Sequence, residues 1–248
     1  MWLSEFKLGQ GRCMVYFHGG SYVNSAYPGH MKMLQSQVDR CKPNLAVAVV
    51  EYTLATKEHY PFQLQQAVSA IHHLLRVKQI KPSEIILAGD SAGGNLVAAV
   101  LLHSSLPHPT VTPLDLGEDA FAVAFLISPW VTFDVNVLET RNLYGDYINP
   151  KALSRAALDF TNGKEDCYST PLKASSVLWK GIRTKDTAII AGEHELMLND
   201  IVHFADNLKL YIAANEAHVQ MVLNRTLNLA KSESEKYFER WLDEELQR

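Results

Sequence analysis

Apolar residues along this chain keep two different rhythms. Mainly apolar runs of strand length stand at 13–17, 45–51, 85–88, 121–127 and 186–191, with a weaker one at 208–213. Runs of that length read as strands buried on both faces. Between them the spacing lengthens to that of helices, at 31–40, 62–77, 96–103 and 200–206, with a last amphipathic helix predicted over 227–246. In 62–77, Leu64, Ala67, Val68, Ile71, Leu74 and Leu75 recur at i, i+3 and i+4, and Pro61 stands where a helix start needs no N–H. Strands alternating with helices predict an α/β fold, a mostly parallel sheet with helices on both faces. Residues 105–119 are rich in proline and polar side chains and read as a loop. Residues 131–180 break the alternation, carry Tyr144, Tyr147, Tyr168 and Trp179, and read as a lid or cap inserted into a single domain spanning 1–248.

In such sheets, binding sites gather beyond the carboxyl ends of the strands. Four loops of chemical interest follow strands here. Gly89, Ser91 and Gly93 keep the Gly-x-Ser-x-Gly spacing between a strand and a helix, where a serine sits on a strained turn with its hydroxyl exposed. Ser91 is therefore the candidate nucleophile, and the Ala92 amide behind it a candidate donor to an oxyanion. His18-Gly19-Gly20 follows the first strand, and Gly19 and Gly20 are expected to supply the opposite donors, with His18 holding the loop by hydrogen bonds. His218, between the last strand and the last helix, is the candidate base. Glu195 is the candidate orienting acid, with Glu193 and Asp200 as rivals, and the order serine, acid, histidine suits an α/β-hydrolase. His72 and His73 are adjacent on a helix, diverge, and are no metal pair.

Composition narrows the classes. Hydrophobic residues make up 47% and charged residues 20%, enough apolar material for a full core. A net charge of -4 with no basic run argues against nucleic acid and anionic membranes as partners. Cys13, Cys41 and Cys167 are odd in number and fit neither a zinc spacing nor a disulfide framework, which favours a reducing compartment. The first residues place charges where a signal peptide needs an apolar stretch, and no run reaches membrane-spanning length, so a cytoplasmic protein is expected.

Several blocks together resemble the hormone-sensitive-lipase-like esterases of the α/β-hydrolase superfamily and their fungal relatives. They are His18-Gly19-Gly20, Tyr52-x-Leu54-Ala55 with Pro61, Gly89-Asp90-Ser91-Ala92-Gly93-Gly94-Asn95, Ser128-Pro129-Trp130 and Glu195-x-x-x-Asn199-Asp200-Ile201. The resemblance implies a triad of Ser91, Glu195 and His218, with glutamate in the acid place as in many fungal members. It implies hydrolysis of a carboxylic ester or lactone of a fairly apolar small molecule, without cofactor or metal, in a setting such as secondary metabolism. This chain starts a strand's length ahead of His18, so the usual N-terminal strands and cap segment are expected to be missing. The Glu195–His218 interval is also short. Those two departures motivate a second reading, a non-hydrolytic binder or cyclisation guide in the same pocket, and apolar surface left uncovered would suit a homodimer.

Overall fold

The apolar runs lie side by side. The computed structural model describes residues 1–9, 11–135, 140–206 and 208–248. In it, β1 (Arg12–Phe17), β2 (Leu45–Val50), β3 (Ile85–Asp90), β4 (Val123–Ile127), β5 (Thr187–Gly192) and β6 (Lys209–Ala213) form one sheet in the order β2-β1-β3-β4-β5-β6. Every neighbouring pair is parallel, as strands joined by helical crossovers must be. The connecting helices are α1 (Pro28–Cys41), α2 (Phe62–Arg76), α3 (Ala92–Ser105), α4 (Pro150–Thr161), α5 (Ser176–Lys180), α6 (Leu198–Phe204), α7 (Gln220–Leu227) and α8 (Glu233–Gln247).

Alternate side chains of a strand point to opposite faces, and the sheet sorts its apolar residues accordingly. Cys13, Val15, Phe17 and Leu87 enter a core shared with Leu64, Val68 and Ile71 of α2 and with α3. Met14, Tyr16, Ile86 and Ala88 face the other way, against Met33, Leu34 and Val38 of α1, Met221 of α7 and Phe238 and Trp241 of α8. Helix α3 is buried from Ala92 to His103 because it lies on the sheet with further elements packed over it. Among the described residues no helix is long and apolar enough to cross a membrane, and no group of three or more His, Cys, Asp or Glu side chains is placed to hold a metal ion.

The helix predicted over 227–246 starts late, at Glu233, and a separate helix, α7, precedes it at 220–227 and ends where Asn228 takes a left-handed conformation (φ 56°). Ser232 then starts α8, its hydroxyl accepting the Glu235 amide at 3.1 Å. The 131–180 segment, of which residues 136–139 lie outside the described residues, contains the helices α4 and α5 and no strand among the described residues. Asn149 caps α4 through the amides of Lys151 (2.9 Å) and Ala152 (3.2 Å), and Leu153, Ala156 and Phe160 of that helix join the α2–α3 core. Phe160 stacks on Tyr22 with ring centres 3.7 Å apart. At the far edge, residues 1–3 lie antiparallel along β2, with Leu3 N–H donating to Val47 (2.9 Å) and Val49 N–H to Met1 (2.8 Å).

The strand order places the site. From β1 the chain crosses to β2 on one side and then returns to β3 on the other, so the connections leave the carboxyl ends of β1 and β3 in opposite directions. That reversal opens a crevice between them. The crevice edges come close only because position 93 lacks a side chain: a Cβ there would stand 1.9 Å from the Phe17 carbonyl oxygen. Backbone cannot swing aside as a flexible side chain can. Gly93→Ala is therefore expected to cost about 1–3 kcal/mol, read as a lower urea midpoint at unchanged m-value; an unchanged midpoint would refute the close-approach argument.

Candidate active site

Ser91 occupies the turn between β3 and α3 with φ 50° and ψ -115°, a conformation that non-glycine residues seldom adopt. Three backbone bonds hold it there. Its N–H donates to Ile127 (2.9 Å), and its carbonyl accepts from Asn95 (2.9 Å) and Trp130 (3.0 Å). Behind it, the fully buried Asn95 amide ties three segments together. Its NH2 donates to the carbonyls of Trp130 (2.7 Å) and Ser169 (2.8 Å), and its oxygen accepts from Tyr22 (2.7 Å).

The loops after β5 and β6 bring Glu195 to His218. The Glu195 carboxylate is wholly buried. Its Oε2 lies 3.0 Å from His218 Nδ1, and its Oε1 accepts from the Ser128 hydroxyl and the Gly192 amide. Ser128 also accepts the Val219 N–H at 3.2 Å, which steadies a β-branched residue held at φ 47° directly after the histidine. Burial alone would lower the pKa of His218. The hydrogen bond and charge of Glu195, with the charges of Asp146 and Asp90, outweigh it and raise the imidazole above its ordinary value. Of the rival acids, Glu193 receives the Asn215 amide (2.9 Å) instead. Asp200 is buried near the start of α6 with Oδ2 unpartnered among the described residues, and burial pushes its carboxyl up to about 6.

The His18-Gly19-Gly20 loop is organised by Asp90, the residue before the serine. Asp90 is buried. Its Oδ1 accepts from Tyr16 (2.8 Å) and from the Gly19 amide (2.8 Å), and its Oδ2 faces His30 Nε2 at 3.1 Å. His30 Nδ1 accepts the Tyr27 amide (2.9 Å), so the ring proton sits on Nε2, toward the carboxylate. Burial pushes the Asp90 carboxyl up, but His30 and the hydrogen bonds from His30, Tyr16 and Gly19 hold it below its usual range. The expected role of Gly19 changes as a result. Its amide is spent on Asp90, and it is Gly20 and Ser21 that line the cavity over Ser91. His18 is buried and stacks on Tyr52 (4.4 Å). Its Nδ1 lies 2.7 Å from the Gly19 carbonyl, and burial lowers its pKa, so it holds the loop as a neutral ring.

Ser91 and His218 open on one cavity of about 320 Å³. Gly20, Ser21 and Tyr27 wall one side, and Tyr147, Ile148, Ala152, Leu153 and Ala156 of the 131–180 segment wall another. Among the described residues no Lys or Arg lines it. Asp90, His30, Ser128 and Asp146 were not singled out from sequence. Asp90 and Ser128 stand inside blocks quoted for the resemblance, whereas nothing local marks His30 or Asp146.

The family model for the alpha/beta hydrolase fold matches residues 14–226. Among curated proteins, an acetyl-hydrolase of Streptomyces hygroscopicus is 32% identical over 120 residues, 48% of this chain and 36% of its own length. Arylacetamide deacetylase of Oryctolagus cuniculus is 30% identical over 207 residues, 67% of this chain and 51% of its own. The chain thus matches about half, or less, of the length of these relatives. Among solved structures, an esterase/lipase from an uncultured bacterium superposes with TM-score 0.75 at 25% identity, over 96% of this chain and 78% of its own. An esterase of the bacterial hormone-sensitive lipase family gives 0.78 at 23% identity, over 96% and 77%. The chain belongs to the α/β-hydrolase family, and its fold is that of the hormone-sensitive-lipase esterases.

Proposed function

We propose that this chain is a serine hydrolase of small neutral carboxylic esters or lactones, acting through an acyl-enzyme. One observation carries the reading: Ser91, on a strained turn, and His218, already paired to a buried glutamate, line the same cavity. With Nδ1 bonded to Glu195, His218 has Nε2 left to take the Ser91 proton as Oγ attacks the ester carbonyl. Glu195 stays ionised and stabilises the imidazolium that forms. The carbonyl oxygen, as it gains charge, is served by the amides of Ala92 and Gly20, while Gly19 anchors the Gly20 loop to Asp90. Losing one such donor costs about 3–4 kcal/mol in the transition state. His218 then returns the proton to the leaving alcohol, and water repeats the sequence on the acyl-enzyme.

The cavity bounds the substrate. Its volume suits a short acyl or alcohol group, and its apolar walls with no lining cation favour a neutral ester over an anionic one. The relatives named as acetyl-hydrolase and arylacetamide deacetylase support short acyl groups.

A fluorophosphonate probe is expected to label the protein at Ser91, and Ser91→Ala to abolish both labelling and turnover of p-nitrophenyl acetate. Absence of labelling and turnover in the unsubstituted protein, with a small molecule still bound in the cavity, would replace this reading with the non-hydrolytic one. The pH profile is a second check. The base must be neutral to act, so a raised His218 pKa moves the acid limb of kcat/KM upward; it should lie above the ordinary histidine value of about 6.5. A limb well below that value would contradict the pairing of His218 with Glu195.

A further inference from the structure

The 131–180 segment reaches the site at a second place, away from α4. Its turn at 142–147 lies across the loops that carry the acid and the base. Asp146 Oδ2 accepts the amide of Leu196, the residue after Glu195, at 2.9 Å, and Oδ1 accepts the amide of His218 at 3.3 Å. The same Oδ1 takes the Tyr147 amide at 2.8 Å, which fixes the carboxylate against its own backbone. Asn142 adds two bonds from Nδ2, to the carbonyls of Glu193 (3.1 Å) and Glu195 (2.9 Å). Gly145 lets the turn settle on the acid loop, since a Cβ there would meet the His194 Cβ at 3.1 Å.

We propose that Asp146, supported by Asn142, is a positioning residue for the acid–base pair: it locks the backbones of the Glu195 and His218 loops against each other so that carboxylate and imidazole meet. The proposal rests on the serine-hydrolase reading for its consequence in turnover, though not for the geometry itself. A carboxylate suits the task because it accepts several amides at once, and bonds to a charged acceptor are stronger than neutral ones. The next residue, Tyr147, is thereby set over the cavity, with its ring centre 6.2 Å from that of His218. The charge has an effect of its own. The groups that act on the His218 ring are Glu195, by hydrogen bond and charge, and Asp146 and Asp90, by charge; all favour the imidazolium. Tyr147 faces the ring as a neutral phenol, because burial and the carboxylates raise its pKa.

The test compares Asp146→Asn, which keeps the shape and one acceptor oxygen but removes the charge, with Asp146→Ala, which removes both. Two readouts are used: kinetics on p-nitrophenyl acetate, and proton NMR of the His218 ring, including the low-field Nδ1–H signal of a histidine bonded to a carboxylate. The alanine variant should lose about tenfold or more in kcat, with a much smaller change in KM, and its low-field signal should broaden or vanish. The asparagine variant should keep that signal, lose less kcat, and shift both the His218 titration and the acid limb of kcat/KM to lower pH together. An alanine variant with unchanged kcat, titration and low-field signal would overturn the proposal, even if its melting temperature fell, because Asp146 would then be only a stabilising contact. If the unsubstituted protein shows no turnover and no probe labelling, the hydrolase reading fails by itself; the NMR comparison still decides whether Asp146 holds His218 to Glu195.

Discussion

Everything at this site depends on backbone meeting backbone where β1 ends and α3 begins. The carbonyl of Phe17 sits where a side chain on residue 93 would have to be, and that of Gly93 crowds the space beside Gly89 in the same way. With no Cβ at either position, the first strand and α3 close to a separation that no side chain could bridge. The loop after β1 is therefore delivered directly over the Ser91 turn. Asp90 completes the arrangement by reaching from the β3 end of that turn to the Gly19 amide, so one buried carboxylate sets the height of the loop above the serine. The two walls of the crevice are thus one structure joined twice, once by contact and once by charge.

Two of the buried carboxylates, Asp90 and Glu195, follow one pattern. Asp90 is met by His30, Tyr16 and the Gly19 amide, and Glu195 by His218, Ser128 and the Gly192 amide. Satisfying both oxygens in this way offsets the cost of burying a charged carboxylate. Each carboxylate here spends one oxygen on a histidine and the other on a hydroxyl and an amide. The difference lies in what each histidine has left over. Both nitrogens of His30 are engaged, by the Tyr27 amide and by Asp90, whereas among the described residues the His218 ring is bonded through Nδ1 alone.

Much of the fold was legible because a sheet buried on both faces must be built of mainly apolar runs, and those runs stand out at β1, β2, β3, β4 and β5. Strand β6 was fainter, since it is an edge strand and half exposed. The break between α7 and α8 went unread because Asn228 and Ser232 are ordinary polar residues on a helical rhythm, and only the left-handed turn reveals them as stop and start. The strained Ser91 turn and the meeting of Glu195 with His218 were anticipated from spacing and chain order. The division of labour between Gly19 and Gly20 was not: the two are chemically identical, and only the position of Asp90, some seventy residues on, tells which amide is taken. Asp146 was hidden for a related reason, since its bonds run to main-chain amides 50 and 72 residues away and leave no mark in the side chains there.

The amide of Asn95 has a consequence for engineering. It is bonded to Tyr22 in the loop beyond β1, to Trp130 after β4 and to Ser169 in the 131–180 segment, while Phe160 of that segment stacks on the same Tyr22. The segment is therefore not a cassette that can be exchanged for the equivalent of another chain of this fold at its two ends. A graft in its place would have to carry a Phe160-like ring and a Ser169-like carbonyl with it, or α3 and the loop over Ser91 would lose their common anchor.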